Sequence, residues 1–203
     1  MDLTLIYTVI GFSLAAYSVV ANDSVQTLGT FIASNQRFKW YWLATVASTV
    51  LAFTLIYGWI VNDGDITFGR LNKIPYQTIQ WYHAAAPLIL VILTRVGIPV
   101  STTFLVLSAF ASTVVLEKVL IKSVVGYGLA AIVAYLVWLT VSYFINEKFD
   151  KVKDKHRRAW VIGQWCTTGF LWYTWLSHDV ANIAVFLPRQ LPVNLLILCI
   201  VLL

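Results

Sequence analysis

Residues 3–26 have the sequence LTLIYTVIGFSLAAYSVVANDSVQ, in which an uncharged run leads directly into the polar group Asn22-Asp23-Ser24. A helix needs about 20 apolar residues to cross the roughly 30 Å hydrocarbon layer of a membrane. We therefore predict a first membrane span over residues 3–21. A carboxylate at membrane depth is costly unless it faces a partner or a polar cavity, which makes Asp23 a candidate functional residue. The alternative is that Asp23 lies in an interfacial connection, where water solvates it.

The composition of the whole chain favours lipid as its solvent. Of the 203 residues, 60% are hydrophobic and 11% are charged, against roughly 25% charged residues in soluble domains. A water-soluble fold is therefore excluded. Four further uncharged stretches are predicted to be membrane helices: residues 40–61, 123–146, 159–177 and 191–203. Because the last stretch is still apolar at Leu203, we expect the natural chain to continue.

Two apolar pieces in the middle of the chain are shorter than a span. Residues 83–94 and 104–116 are joined by RVGIPVSTT, residues 95–103. Apolar runs of about 10 to 14 residues suit re-entrant segments, and glycine and proline interrupt helices. We predict a re-entrant helical hairpin over residues 83–116, with two short ordinary spans as the alternative. Residues 62–82 carry turn signals and are predicted to be an extramembrane connection.

A polar motif occurs twice. Residues 22–26 (NDSVQ) and 178–182 (HDVAN) superimpose with a constant offset of 156, so that Asp23 pairs with Asp179 and Gln26 with Asn182. Counting the predicted crossings makes the two motifs pass through the membrane in opposite directions, as in inverted-repeat secondary transporters with broken helices. The predicted organisation is a first repeat over 1–146, a loop over 147–158, and a truncated second repeat over 159–203.

The positive charge is interpreted as a topology signal and not as a nucleic-acid footprint. The net charge is +5, and six of the fourteen basic residues lie between residues 148 and 158. Basic loops beside membrane spans mark the cytoplasmic side. We expect a multi-pass protein of a bacterial-type inner membrane, with the 147–158 loop in the cytoplasm and the N-terminus outside.

The polar residues predict two kinds of binding chemistry. Carboxylate and carboxamide oxygens, together with carbonyls freed by broken helices, suit Na⁺, while protonation of a carboxylate would serve H⁺ coupling. Hydroxyls and free backbone N–H groups at the hairpin tip suit an anion, although Ser and Thr are also ordinary helix caps. His178 is either a proton-sensitive ligand or a hydrogen-bonding helix residue. The candidate site residues are Asn22, Asp23, Gln26, Ser101, Thr102, Thr103, His178, Asp179 and Asn182.

At these residues the chain resembles the inorganic phosphate transporter (PiT) family, whose hallmarks are a repeated G-A-N-D-V-A-N-A-x-G motif and a P-V-S-T-T-H motif. The first copy corresponds to Ala21-Asn22-Asp23 and Gly29-Thr30, and the second copy to Asp179-Val180-Ala181-Asn182. The hairpin motif corresponds to Gly97-Ile98-Pro99-Val100-Ser101-Thr102-Thr103. The chain departs from the family at Val20, Gln26, Phe104 and His178, and a second hairpin motif is absent. It would therefore be a divergent member with about one and a half repeats.

The resemblance implies symport of inorganic phosphate with Na⁺ or H⁺ by alternating access, commonly in a homodimer. It implies that Asn22 and Asn182 complete a cation shell around Asp23 and Asp179, with Gln26 in the place of a family ligand. It also implies that the hydroxyls of residues 101–103 bind the anion beside the two carboxylates. Sulfate or another oxyanion is the alternative substrate, because tetrahedral oxyanions share hydroxyl donors. A non-transporting membrane receptor or assembly subunit is the alternative of a different class. We expect neither enzymatic activity nor a cofactor other than a coupling Na⁺.

Overall fold

The computed structural model describes residues 2–98, 100–145 and 157–203, and within these ranges the chain is helical and contains no β-strand. The predicted all-α class is therefore confirmed for the described residues. Short helical turns occupy Arg70–Lys73 (3₁₀), Thr103–Leu107 (π) and Ser108–Phe110 (3₁₀). The α-helices are α1 (Leu3–Ser34), α2 (Trp40–Val61), α3 (Trp81–Arg95), α4 (Thr113–Ile145), α5 (Arg157–Ala184) and α6 (Val193–Leu202).

The helices form two compact units. The first comprises Met1–Ala111 with Thr167–Leu203, and the second comprises Ser112–Cys166. In the second unit, the side chains of α4 between residues 116 and 143 are mostly exposed. The predicted 147–158 loop falls outside the described residues except for its last two positions, which begin α5, and Pro99 of the hairpin motif also falls outside them.

Three described helices are long and apolar enough to cross a membrane: Leu3–Ser34, Trp40–Val61 and the Leu116–Tyr143 part of α4. This supports a membrane protein, and the second of these helices has the bounds that its sequence predicts. The fourth predicted span, residues 159–177, lies within α5. That helix is long enough but is not among the three, because tryptophan, threonine and other polar side chains lower its hydropathy.

α1 has the surface of a lipid-facing helix. It begins at an N-cap in which the Asp2 carboxylate accepts a hydrogen bond from the Thr4 N–H at 3.0 Å. One face, including Phe12 and Val19, is buried and packs mainly against α3. The other face exposes further large apolar side chains such as Leu5 and Val9, where a helix in water would carry polar ones.

The two polar motifs do not break their helices, which corrects the prediction of broken helices. α1 runs without interruption through Asn22 and Asp23, and α5 runs through Asp179 and Asn182. Residues 21–28 and 177–184 contain no glycine or proline, so nothing in the backbone stops the helix. The helical carbonyls at these positions are therefore not free to bind a cation, and any ligands must come from side chains.

The predicted second apolar piece, residues 104–116, is divided between two elements. It begins in the π and 3₁₀ turns, which end at Phe110, and the rest of the piece starts α4 at Thr113. α4 then continues through Glu117, Lys118 and Lys122, although the predicted span begins only at residue 123. Glutamate and lysine are strong helix formers, and no glycine or proline intervenes before Gly126, so the helix extends beyond the apolar run.

The α2–α3 connection is tied to the segment that precedes α6. The Leu191 N–H donates to the Gly64 carbonyl at 2.9 Å, and the Trp59 indole N–H donates to the Leu191 carbonyl at 2.8 Å. The Arg189 guanidinium donates to the Ile74 carbonyl at 3.0 Å. These bonds fix the end of α2 relative to the α5–α6 connection and so hold the two halves of the first unit together.

Candidate functional site

Residues 77–98 and 100–110 form the two arms of a helical hairpin. The Gln77 side-chain amide donates to the Phe110 carbonyl at 2.8 Å, and the His83 ring stacks on the Phe110 ring with centroids 4.3 Å apart. The beginning and the end of the segment therefore lie side by side. At the opposite end, Gly97 adopts a left-handed conformation with φ of 80°, which turns the chain after α3. We call residues 96–98 and 100–103 the hairpin tip.

The hairpin tip contacts α1 through the backbone of Val100. The Asn22 side-chain Nδ2 donates to the Val100 carbonyl at 3.1 Å, and the Asn22 Oδ1 accepts a longer bond of 3.5 Å from the Val100 N–H. Gln26 adds a bond of 3.4 Å from its Nε2 to the same carbonyl, although its side chain is exposed. Asn22, which is buried, is thus the main attachment of the tip to α1.

The hairpin tip contacts α5 through two threonine hydroxyls. The Thr103 hydroxyl donates to Asp179 Oδ1 at 3.1 Å. The Asn182 Nδ2 donates to the Thr102 Oγ1 at 3.0 Å and lies 3.2 Å from Asp179 Oδ1. Ser101 does not take part, because its Oγ accepts a bond from the Phe104 N–H at 3.3 Å and so acts as a cap for the turn that follows.

Asp23 and Asp179 meet beside this tip. The two carboxyl groups lie close enough to repel each other when both are ionised. Both are buried, with 1% of Asp23 and 8% of Asp179 exposed, and no ion pair with a lysine or an arginine of the described chain balances them. Two carboxylates without a counter-charge are unfavourable at such depth, so the pair needs protons or cations to be neutralised.

α1 and α5 run antiparallel where they meet. Asp23 of α1 lies beside Asp179 of α5, and Gly11 of α1 packs on the ring of Phe186, just after α5. Gly11 precedes Asp23 in the chain, whereas Phe186 follows Asp179, so the two segments run in opposite directions. The two polar motifs therefore approach each other from helices of opposite direction.

Several polar atoms near the aspartates are buried and have no hydrogen-bond partner among the described residues. They include two acceptor oxygens, Asp23 Oδ2 and Asn182 Oδ1, and one donor, the Trp175 indole N–H, which lies beside Asp23. A buried polar atom without a partner costs about 1–3 kcal/mol, so these oxygens are candidates for contact with a bound group or, at Asp23, with the Trp175 N–H. Oxygen acceptors of this kind, from a carboxylate and a carboxamide, are ligands that hard monovalent cations prefer. The described residues contain no cluster of three or more His, Cys, Asp or Glu side chains around one point.

Most of the predicted site residues are brought together: Asn22, Asp23, Thr102, Thr103, Asp179 and Asn182 converge at the tip. Gln26 reaches the Val100 carbonyl of the tip from an exposed position, Ser101 is a cap, and His178 is exposed. Gln26 and Asn182 occupy equivalent positions in the two motifs, but only Asn182 is buried beside its aspartate.

The sequence interpretation missed three contributors. The Val100 backbone binds Asn22, which no side-chain pattern could indicate. The Trp175 indole lies beside Asp23, and the buried Thr27 hydroxyl has no partner. Trp175 and Thr27 could have been found from the sequence, because each lies four residues, or one helical turn, from an aspartate: Thr27 from Asp23 and Trp175 from Asp179.

Comparison of the chain with protein-family models, with curated proteins and with solved structures gives no match in any of the three. The function is therefore argued from the site alone.

Proposed function

We propose that this chain belongs to a secondary transporter of the phosphate-permease type, which carries inorganic phosphate together with Na⁺ or H⁺ by alternating access. The observation that carries the proposal is the meeting of two buried carboxylates, Asp23 and Asp179, with the hydroxyl-bearing hairpin tip. Intramembrane carboxylates of this kind commonly mark ion pathways and proton relays.

The arrangement provides a physical reason for coupling. An oxyanion at the tip would face both carboxylates, and two like unit charges 5 Å apart repel by about 3 kcal/mol at an effective dielectric constant of 20. A cation or proton on the pair removes this repulsion. It also weakens the acceptor to which the Thr103 hydroxyl donates, at Asp179 Oδ1. The hydroxyl is then free to donate to an oxygen of the anion, so that anion binding follows cation binding.

The finer architecture is part of the proposal. α1 and α5 would be equivalent helices of two inverted repeats, which is supported by their antiparallel approach and by the offset of 156 between Asp23 and Asp179. The hairpin would be re-entrant, since α3 has 15 residues and so spans about 22 Å, less than the hydrocarbon layer. Its start and end also lie side by side. The N-terminus would be outside, the 147–158 loop cytoplasmic, and the protein a homodimer.

Sulfate transport and a non-transporting receptor are the other outcomes that an experiment must separate. The full-length protein is reconstituted into proteoliposomes, and uptake of radiolabelled phosphate is measured with a Na⁺ gradient and a pH gradient imposed separately. We expect uptake under one of the two gradients and weak competition by excess sulfate. Strong competition by sulfate would indicate sulfate as the substrate, and phosphate binding without uptake would indicate a receptor.

Asp179→Asn tests the site itself. Asparagine has nearly the same shape but removes the charge, so we expect cation-driven uptake to fall to background while the protein remains folded. Asp63→Asn is the matched control, because it removes a carboxylate from the α2–α3 connection and leaves the site untouched. Equal uptake by wild type and Asp179→Asn would refute the proposed role of the aspartate pair.

A further inference from the structure

His83 joins the two arms of the hairpin at the end opposite to the tip. Its side chain is 1% exposed, and its ring stacks on the Phe110 ring of the second arm. Its Nδ1 accepts a hydrogen bond of 2.9 Å from the Gln80 N–H, while the Gln80 side chain accepts one from the His83 N–H. This reciprocal pair is a capping box, which satisfies N–H groups at the start of α3. We call residues 77–83 and 109–110 the hairpin base.

The bond from the Gln80 N–H fixes the protonation state of the imidazole. A ring nitrogen that accepts a hydrogen bond carries no proton, so the ring is neutral and its single proton lies on Nε2. A proton added at Nδ1 would point at the Gln80 N–H, and two donors cannot share a hydrogen bond. The stack on Phe110 tolerates a charged ring. The capping bond is therefore the contact that protonation breaks.

The surroundings of the ring do not compensate a positive charge. The ring lies at the start of α3, where the helix dipole disfavours a cation. His83 lies outside the three membrane-crossing helices, and burial lowers the pKa of its imidazole, with the Ala109 carbonyl opposing part of the shift. The titratable neighbour is the Tyr82 phenol, with ring centroids 4.3 Å apart. Among the described residues, neither α1 nor the second arm brings a carboxylate or a basic side chain that acts on the ring.

We propose that His83 is a pH-sensitive switch of the hairpin base, which keeps the two arms together while the ring is neutral and lets them separate when it is protonated. In an open base the exposed imidazole takes up a proton near pH 6.5, as in a model peptide, whereas the closed base resists the proton. The closed base is therefore favoured above about pH 6.5 and loses stability as the pH falls below that value. The switch lies at the other end of the hairpin from the aspartate pair and acts whichever ion is transported.

Hydrogen exchange of the full-length protein in lipid nanodiscs measures the opening of the base. Peptides that cover residues 77–86 and 104–110 are compared at about pH 7 and about pH 5, after correction for the intrinsic exchange rate. If the closed base binds no proton, an open-base pKa of about 6.5 raises the opening equilibrium about 25-fold between these conditions. We expect exchange in both peptides to accelerate by about tenfold to 25-fold. An acceleration below about threefold would overturn the switch.

His83→Gln is the decisive variant, because glutamine is a usual residue at this position of a capping box and accepts the bond without titrating. Its base should accelerate by less than about twofold between the two conditions. His178→Gln is the control, because it removes an exposed imidazole outside the hairpin and should retain the full acceleration. If His83→Gln fails to fold, His83→Phe keeps a stacking ring without the acceptor, and its base should exchange equally fast in both conditions. A wild-type acceleration that persists in these His83 variants would assign the pH response to another group.

Discussion

The attachment of the hairpin tip to α1 depends on a single buried side chain, Asn22, and its replacement by leucine is the most direct test of that attachment. Leucine has the same branching and the same number of side-chain heavy atoms as asparagine, and it favours helix, so α1 should persist. The variant loses the bond of 3.1 Å from Nδ2 to the Val100 carbonyl and the weaker contact of 3.5 Å from the Val100 N–H to Oδ1. It also loses the bond of 3.0 Å from Nδ2 to Asp23 Oδ1, which lies within α1 and does not attach the tip. At about 1 kcal/mol for the first bond and less for the second, the tip loses about 1–2 kcal/mol of its attachment.

Hydrogen exchange measures this loss locally. An amide in the tip exchanges when the tip opens, and the opening equilibrium changes tenfold for every 1.4 kcal/mol. We therefore expect peptides that cover residues 100–107 to exchange about fivefold to thirtyfold faster in Asn22→Leu. The Leu105 N–H, which donates to the Ser101 carbonyl at 3.0 Å, is a suitable reporter within this segment.

Gln26→Leu provides the graded control, because it removes one longer, exposed bond of 3.4 Å to the same carbonyl. We expect exchange in the tip to accelerate by about twofold or less. Peptides from α2 should exchange at wild-type rates in both variants. If Asn22→Leu leaves the tip as protected as in wild type, the tip is held by something other than the Asn22 side chain and the reasoning fails.

Two further substitutions test the packing that positions the site. Gly11→Ala should lower the thermal unfolding midpoint by an amount equivalent to about 1–3 kcal/mol, because the added Cβ would overlap the ring of Phe186. Gly29→Ala should not lower the midpoint, because nothing lies within 4 Å of its new atom. A Gly11→Ala midpoint at or above that of Gly29→Ala contradicts this packing. Trp59→Phe should lower the free energy of unfolding by about 1 kcal/mol, because it removes the 2.8 Å bond to the Leu191 carbonyl. Cation-driven uptake should be unchanged, and altered uptake would mean that this bond also shapes the site.

The fold could be predicted from the sequence where hydropathy alone decides. The bounds of α2 follow from an apolar run between charged residues, and the helical class follows from composition and from the length of such runs. Helix ends inside polar stretches could not be predicted in this way. Asn22 and Asp23 look like a helix end, but their side chains find partners in the tip and in each other, at 3.0 Å from Nδ2 to Oδ1, so α1 continues.

For the candidate site, the repeated aspartate and the threonine-rich hairpin motif were sufficient to indicate which segments belong together. The roles of individual atoms were not predictable. The conformation of Thr27 is a rotamer choice that no pattern in the sequence encodes, and the Val100 contacts use backbone atoms that every residue has. His178, which precedes a buried carboxylate, is exposed because neighbouring positions on a helix point about 100° apart.

The two attachments of the hairpin tip differ in their sensitivity to charge. On the α1 side the partners are a carboxamide and a peptide group, neither of which titrates. On the α5 side the bond between Asn182 and Thr102 is likewise uncharged, while the bond of the Thr103 hydroxyl depends on the negative charge of Asp179. Discharging that carboxylate weakens the second attachment and leaves the first unchanged. The hold of the tip on α1 is therefore independent of protonation, whereas its hold on α5 is partly tuned by it.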